Sequence, residues 1–140
     1  MPSVAMSFLA VGLGGALGAV VRHGANLLAL RWSAHPAWAT FAVNIAGSFL
    51  LGLLLWYASA RHLVPGHEAT REPVVGPHLR DFLKVGVLGS LTTFSTLTAE
   101  TNGMLHEGRY AWAAAYAIGS LAIGLVAAGA GFAVGRVVSP

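Results

Sequence analysis

The sequence predicts an all-α integral membrane protein of four transmembrane helices, the third of them broken. Three observations carry that expectation. Only 9% of the 140 residues are charged and 56% are hydrophobic, whereas a soluble domain carries about 25% charged residues. Two stretches, Ala37 to Ala60 and Ala111 to Gly135, run without a formal charge, and at ~1.5 Å per residue each exceeds a ~30 Å hydrocarbon core. Finally, Gly89-Ser90-Leu91-Thr92-Thr93-Phe94-Ser95-Thr96 sets five hydroxyls within seven residues inside an otherwise apolar segment. Irregular, hydroxyl-rich backbone at membrane depth is tolerated only where protein buries it or a wet cavity adjoins it. An interrupted membrane helix usually marks a place where an ion is handled.

The spans follow in order. The first covers about residues 4–30: Val4 to Val21 is uncharged and the run extends through Arg22-His23 to Leu30. With no charge from Met1 to Val21 there is no basic leader region, so a mature span is expected here. After a short turn from Arg31 to Pro36 comes the second span, 37–60. Arg61 to Arg80 is expected as a solvated loop, because Pro65, Pro73, Pro77, Gly66 and Gly76 oppose a helix through it. Its histidines His62, His67 and His78 fit no helical metal-ligand spacing. The third span, about 82–105, is the least apolar, interrupted by Lys84, the hydroxyl run and Glu100. His106 to Tyr110 turns into the fourth, 111–135. No internal repeat appears, and residues 1–140 read as one membrane domain.

Charge and cysteine usage exclude several functions. With no cysteine, neither a disulfide framework nor a thiolate metal site is available. The net charge of +3 and pI of about 10.0 reside in a few basic residues that suit lipid headgroups and topology rather than nucleic acid. With the N-terminus inside, Arg61, Arg71, Arg80, Lys84 and Arg136 share the cytoplasmic side, against Arg31 and Arg109 opposite, plus Arg22 if it reaches that interface, a weak bias that leaves insertion in both orientations open. No nucleophile–base pair or metal cluster points to an enzyme. A multi-pass protein of the cell membrane is expected.

Small residues recur at four-residue spacing: Gly14 and Gly18, Ser48 and Gly52, Ser120 and Gly124, Gly131 and Gly135. Such ridges let helix backbones approach closely where lipid supplies no hydrophobic drive, and packing within one subunit is the expected use. Four helices enclose little interior, so a pore would most readily come from two copies. Among polar residues at depth, Asn44 offers two donors and an acceptor, serving either as an interhelical tie or as a donor facing an anion. Arg22 either snorkels to an interface or supplies positive potential at a pore mouth. Glu100 is an intramembrane carboxylate, a proton-coupling candidate by default. Phe94 shares a helix face with Leu97 and Thr101, and its positive ring edge can favour an anion without a formal charge.

Three motifs in order carry a resemblance. Gly14-Gly15-Ala16-Leu17-Gly18-Ala19-Val20-Val21-Arg22, the run from Thr40 through Asn44 to Gly52, and Gly86-Val87-Leu88-Gly89-Ser90-Leu91-Thr92-Thr93-Phe94-Ser95-Thr96 resemble the signatures of the Fluc (CrcB) family of fluoride channels over nearly the whole chain. That resemblance implies an antiparallel, dual-topology dimer with two narrow anion pores. It implies that Asn44 donates to permeating fluoride, Phe94 offers a ring edge and Arg22 attracts anions at the vestibule. The backbone carbonyls of Gly89 and Thr92 would hold a structural sodium ion at the dimer centre. Tyr116 and Ser120 match a hydroxyl track, Glu100 matches an acid of the third motif, and Thr96 lies within that motif.

Two positions depart from the pattern. Leu97 stands where the family often has a second phenylalanine along the pore, and Gly124 stands where some members carry serine. A homodimer and a pair of unlike subunits both stay open. The expected function is passive, selective export of fluoride, with lipid and a second subunit as partners. The principal alternative is a proton-coupled exporter of the small multidrug type, which needs a carboxylate in its first span; this first span has none. A non-transporting assembly protein would explain the glycine ridges but not the polar cluster.

Overall fold

The computed structural model describes residues 3–32, 35–59 and 76–138. The described residues outside the turns are helical. They form four helical stretches long and apolar enough to cross a membrane: Val4–Arg31, Pro36–Tyr57, Pro77–His106 and Tyr110–Val138. Helix α1 (Val4–Arg31) begins at Ser3, whose Oγ accepts from the Met6 N–H at 3.2 Å and satisfies one of the otherwise orphaned first-turn donors. Helix α2 (Pro36–Ser59) starts with proline at its first position, where the missing N–H costs nothing. His35 Nδ1 accepts from the Ala37 N–H at 3.2 Å to close that end.

The third stretch is composite. A short helix α3 (Pro77–Arg80) leads into π-helical turns over Asp81–Leu88, then α4 (Gly89–Leu91). Thr92 and Thr93 are extended, at φ −78°, ψ 148° and φ −148°, ψ 112°. Helix α5 (Phe94–His106) follows, capped by Thr93 Oγ1, which accepts from the Thr96 N–H at 3.2 Å. The expected break is therefore present, two residues wide, between Leu91 and Phe94. The expected loop to Arg80 is too long: the chain is already helical from Pro77, because proline suits a first turn as well as a loop. Most of that loop, with His62 and His67, lies outside the described residues. Gly108, at φ 72°, reverses the chain after α5; its N–H and that of Arg109 close onto Leu105 and Met104 carbonyls at 3.0 and 2.9 Å. Helix α6 (Tyr110–Val138) completes the bundle.

Packing divides into two seams, each made by glycine. A Cβ at Gly14 would run into the Phe82 carbonyl, one at Gly18 into the Val87 carbonyl and Ser90 Oγ, and one at Gly86 would stand 2.8 Å from Gly14 Cα. Ser90 Oγ then reaches across to the Gly15 carbonyl at 2.8 Å and also bonds the Gly86 carbonyl at 2.9 Å. In the second seam, a Cβ at Gly52 would overlap the Ala128 carbonyl and one at Gly131 the Phe49 carbonyl. Backbones this close gain dispersion contact that bulky side chains would forbid. The small-residue ridges thus pack α1 on the third stretch and α2 on α6 within one chain. The break is framed from one side by Val43, Leu88 and Leu91, which form a buried apolar cluster.

Candidate ion site at the helix break

Asn44 holds the break. Its Oδ1 accepts from the Thr93 N–H at 2.8 Å, and its Nδ2 donates to the Thr93 carbonyl at a longer 3.4 Å. Because a backbone N–H can only donate, this pairing also fixes the amide's orientation. The interhelical tie is therefore real, and it leaves one Nδ2–H with no partner among the described residues.

The same bond has a second effect. In an unbroken helix the Thr93 N–H would donate to the Gly89 carbonyl, and the Thr96 N–H to the Thr92 carbonyl. Here Asn44 takes the first donor and Thr93 Oγ1 the second. Gly89 and Thr92 thus present carbonyl oxygens whose usual helical donors are spent elsewhere, and Gly89 lies exposed on the subunit surface. Carbonyl oxygens released in this way suit a hard, monovalent cation.

Glu100 ties three helices together. Its Oε1 accepts from Thr40 Oγ1 at 2.9 Å and its Oε2 from Tyr116 OH at 2.6 Å. Thr40 is 2% exposed. Each carboxylate oxygen has a hydroxyl donor, and the shorter bond lies in the range of a hydroxyl bound to a carboxylate.

Thr40, Asn44 and Ser48 repeat every four residues along α2, and Tyr116, Ser120 and Gly124 do so along α6, so each set forms one ridge. The two ridges meet in register: Glu100 bridges Thr40 to Tyr116, and a Cβ at Gly124 would stand 3.5 Å from Ser48 Oγ. Between those two contacts, Ser120 falls level with Asn44. Ser120 is 6% exposed and its Oγ has no hydrogen-bond partner among the described residues. A buried hydroxyl without a partner is costly, and this one lies level with the unused N–H of Asn44.

The other predicted residues are placed as follows. Phe94 is 70% exposed on the outer face of the subunit, whereas Leu97, three residues on, is 6% exposed in the interior. The expected shared face is thus divided: three residues differ by about 60° around a helix, and the boundary between core and outer surface runs between them. Thr96 belongs to the cap, its hydroxyl 3.0 Å from Thr93 Oγ1. Arg22 is half-buried on α1 and makes no ion pair with the described residues. Sequence reasoning gave no role to Thr40 or Thr93. The signal for Thr40 was its four-residue offset from Asn44; the hydroxyl of Thr93 lay in the cluster that marked the break, but its tie to Asn44 runs through the backbone and left no mark in the sequence.

A chain with four membrane-crossing helices, one of them unwound beside a seam of unspent polar groups, is a multi-pass membrane protein built to handle an ion. Residues 9–132 match the family described as "CrcB-like protein, Camphor Resistance (CrcB)". The chain is 39% identical to the "Fluoride-specific ion channel FluC" of Paracoccus denitrificans, over 93% of this chain and 94% of that one. Proteins of the same description from Methylobacterium nodulans and Thermus thermophilus are each 40% identical, over 92% and 91% of this chain and 92% and 94% of theirs. The chain belongs to the CrcB family.

Proposed function

We propose that this protein is a fluoride-selective passive ion channel that lets fluoride leave the cytoplasm and so relieves its toxicity. Its relatives' description as fluoride-specific channels supports the reading, and the observation that carries it is that one Asn44 N–H and the Ser120 hydroxyl, neither with a partner among the described residues, fall at one level of the α2–α6 seam. Fluoride is small and strongly hydrated, so a selective path must replace its water with fixed donors. Asn44 is locked by Thr93 and Ser120 by burial; neither has to reorganise when the anion arrives. Glu100 holds the Tyr116 hydroxyl at one end of the seam. Its negative charge is shared by two hydroxyls, which lessens its repulsion of a passing anion. Arg22 raises the local anion concentration, with no carboxylate paired to it among the described residues. Hydrogen fluoride that enters from acid surroundings dissociates inside, and the membrane potential drives the anion out.

The working unit in this reading is an antiparallel dimer of two copies or of this chain with a similar subunit. Phe94, exposed beside the break, would reach a partner and offer its ring edge to the anion; Leu97, buried in its own subunit, supports the pore wall from behind. The Gly89 and Thr92 carbonyls of the two subunits would hold a sodium ion, which when bound supplies a fixed positive charge and an inter-subunit tie. The exporter alternative finds less support, since α1 carries no carboxylate and both oxygens of Glu100 are engaged.

The test is fluoride efflux from liposomes containing only this purified chain, with chloride as the control anion. Selective fluoride release is expected. Folded protein that releases neither ion would reject the homomeric channel, and release of both would reject the selectivity.

A further inference from the structure

We infer that the crevice between α2 and the π-helical turns is a binding site for one acyl chain of an anionic phospholipid. Leu50, Leu53 and Tyr57 of α2 face Leu83, Val87 and Leu88 across a cavity of about 350 Å³ that is open on one side. Apart from the Tyr57 ring tip the lining is aliphatic, so water gains nothing there, whereas a hydrocarbon chain replaces lost dispersion contacts.

The direction of the crevice identifies the lipid. The two helices run antiparallel, so Leu50 and Leu88 lie toward mid-depth and Tyr57 and Leu83 toward the end where both helices meet the headgroups. At that end Tyr57 OH has no partner among the described residues, an arrangement suited to an interfacial aromatic. Arg80 and Lys84 follow one another by four residues on the third stretch, both exposed, next to the wall residue Leu83. Asp81 also lies there and is half-buried. His78 lies three residues before Asp81, and its Nδ1 is buried without a hydrogen-bond partner among the described residues. Among the described residues, two basic side chains less one carboxylate leave a net positive charge at the end of the crevice where the phosphate of a seated lipid would be. Charge complementarity therefore selects phosphatidylglycerol-like lipids over zwitterionic ones. Nothing in this site depends on which ion the protein conducts.

The experiment measures lipid retained by the purified protein in native mass spectrometry, using phosphatidylglycerol and phosphatidylcholine with identical acyl chains. One net charge near the phosphate corresponds to about a fivefold preference for phosphatidylglycerol. The Arg80→Gln, Lys84→Gln double variant, which leaves Asp81 unopposed, is expected to reverse that preference toward phosphatidylcholine while still retaining lipid. Leu53→Trp, or Leu83→Phe if the first does not fold, is expected to lose retention of both lipids by filling the crevice. Equal retention of the two lipids by the unaltered protein would overturn the proposal. So would efficient disulfide formation between two Leu53→Cys chains in membranes, since the natural chain has no cysteine and the crevice would then be occupied by a second copy.

Discussion

Replacing Ser120 by alanine should move stability and transport in opposite directions. The side chain is 6% exposed and its Oγ has no partner among the described residues, so removing it leaves no described protein group unpaired. Ser120→Ala removes one oxygen, breaks no bond, and is expected to leave stability unchanged or raise it by up to about 1 kcal/mol. If the hydroxyl donates to a passing anion, its loss removes a hydrogen bond to a charged group, worth about 1.5–3 kcal/mol. At a factor of ten per ~1.4 kcal/mol, flux should fall by about 10- to 150-fold. The assay is fluoride-electrode efflux from liposomes, run beside denaturant unfolding in detergent. Lower stability together with lower flux would show that the hydroxyl has a structural partner. Unchanged flux would remove Ser120 from the path.

Other substitutions separate the remaining roles. Asn44→Ala should abolish measurable flux and destabilise the fold by about 1–3 kcal/mol by orphaning the Thr93 N–H, with the proposed dimer retained on size-exclusion chromatography; unchanged flux would exclude Asn44. Thr40→Val and Tyr116→Phe each strip one donor from Glu100, a loss of about 1.5–3 kcal/mol. Because they share one carboxylate, unfolding of the double variant should reveal non-additivity, and strict additivity would argue against the cluster. Gly52→Val drives a side chain into the Ala128 carbonyl and should cost about 1–3 kcal/mol or more. Gly129→Ala, with open space around it, serves as the tolerated control in the same unfolding measurement. Replacing sodium by potassium throughout purification should lower both the cross-linked dimer fraction and fluoride flux; no change in either would discard the sodium proposal.

Hydropathy and spacing are local properties, and what depends on them was legible in the chain itself. Apolar runs marked the spans, the hydroxyl cluster over residues 89–96 marked the stretch in which the break falls, and three motifs pointed to the family. Four-residue spacing of small residues announced close helix contacts. The π-helical turns over Asp81–Leu88 left no such mark, because a change in helical hydrogen-bond register alters neither composition nor hydropathy. The fates of the polar residues depended on partners far along the chain. Asn44 meets Thr93, 49 residues away, and Thr40 meets Glu100, 60 away; only tertiary packing could turn an amide able to tie helices or face an ion into one that holds the break and keeps one N–H unspent. Phe94 and Leu97 show the same division: their sequence spacing suggests one face, but the edge of the core passes between them. The sequence alone determined that this is a four-span membrane protein with a polar interruption. The fold decided which of those polar groups satisfy one another and which have a donor to spare among the described residues, since hydrogen bonding at membrane depth is set by three-dimensional proximity.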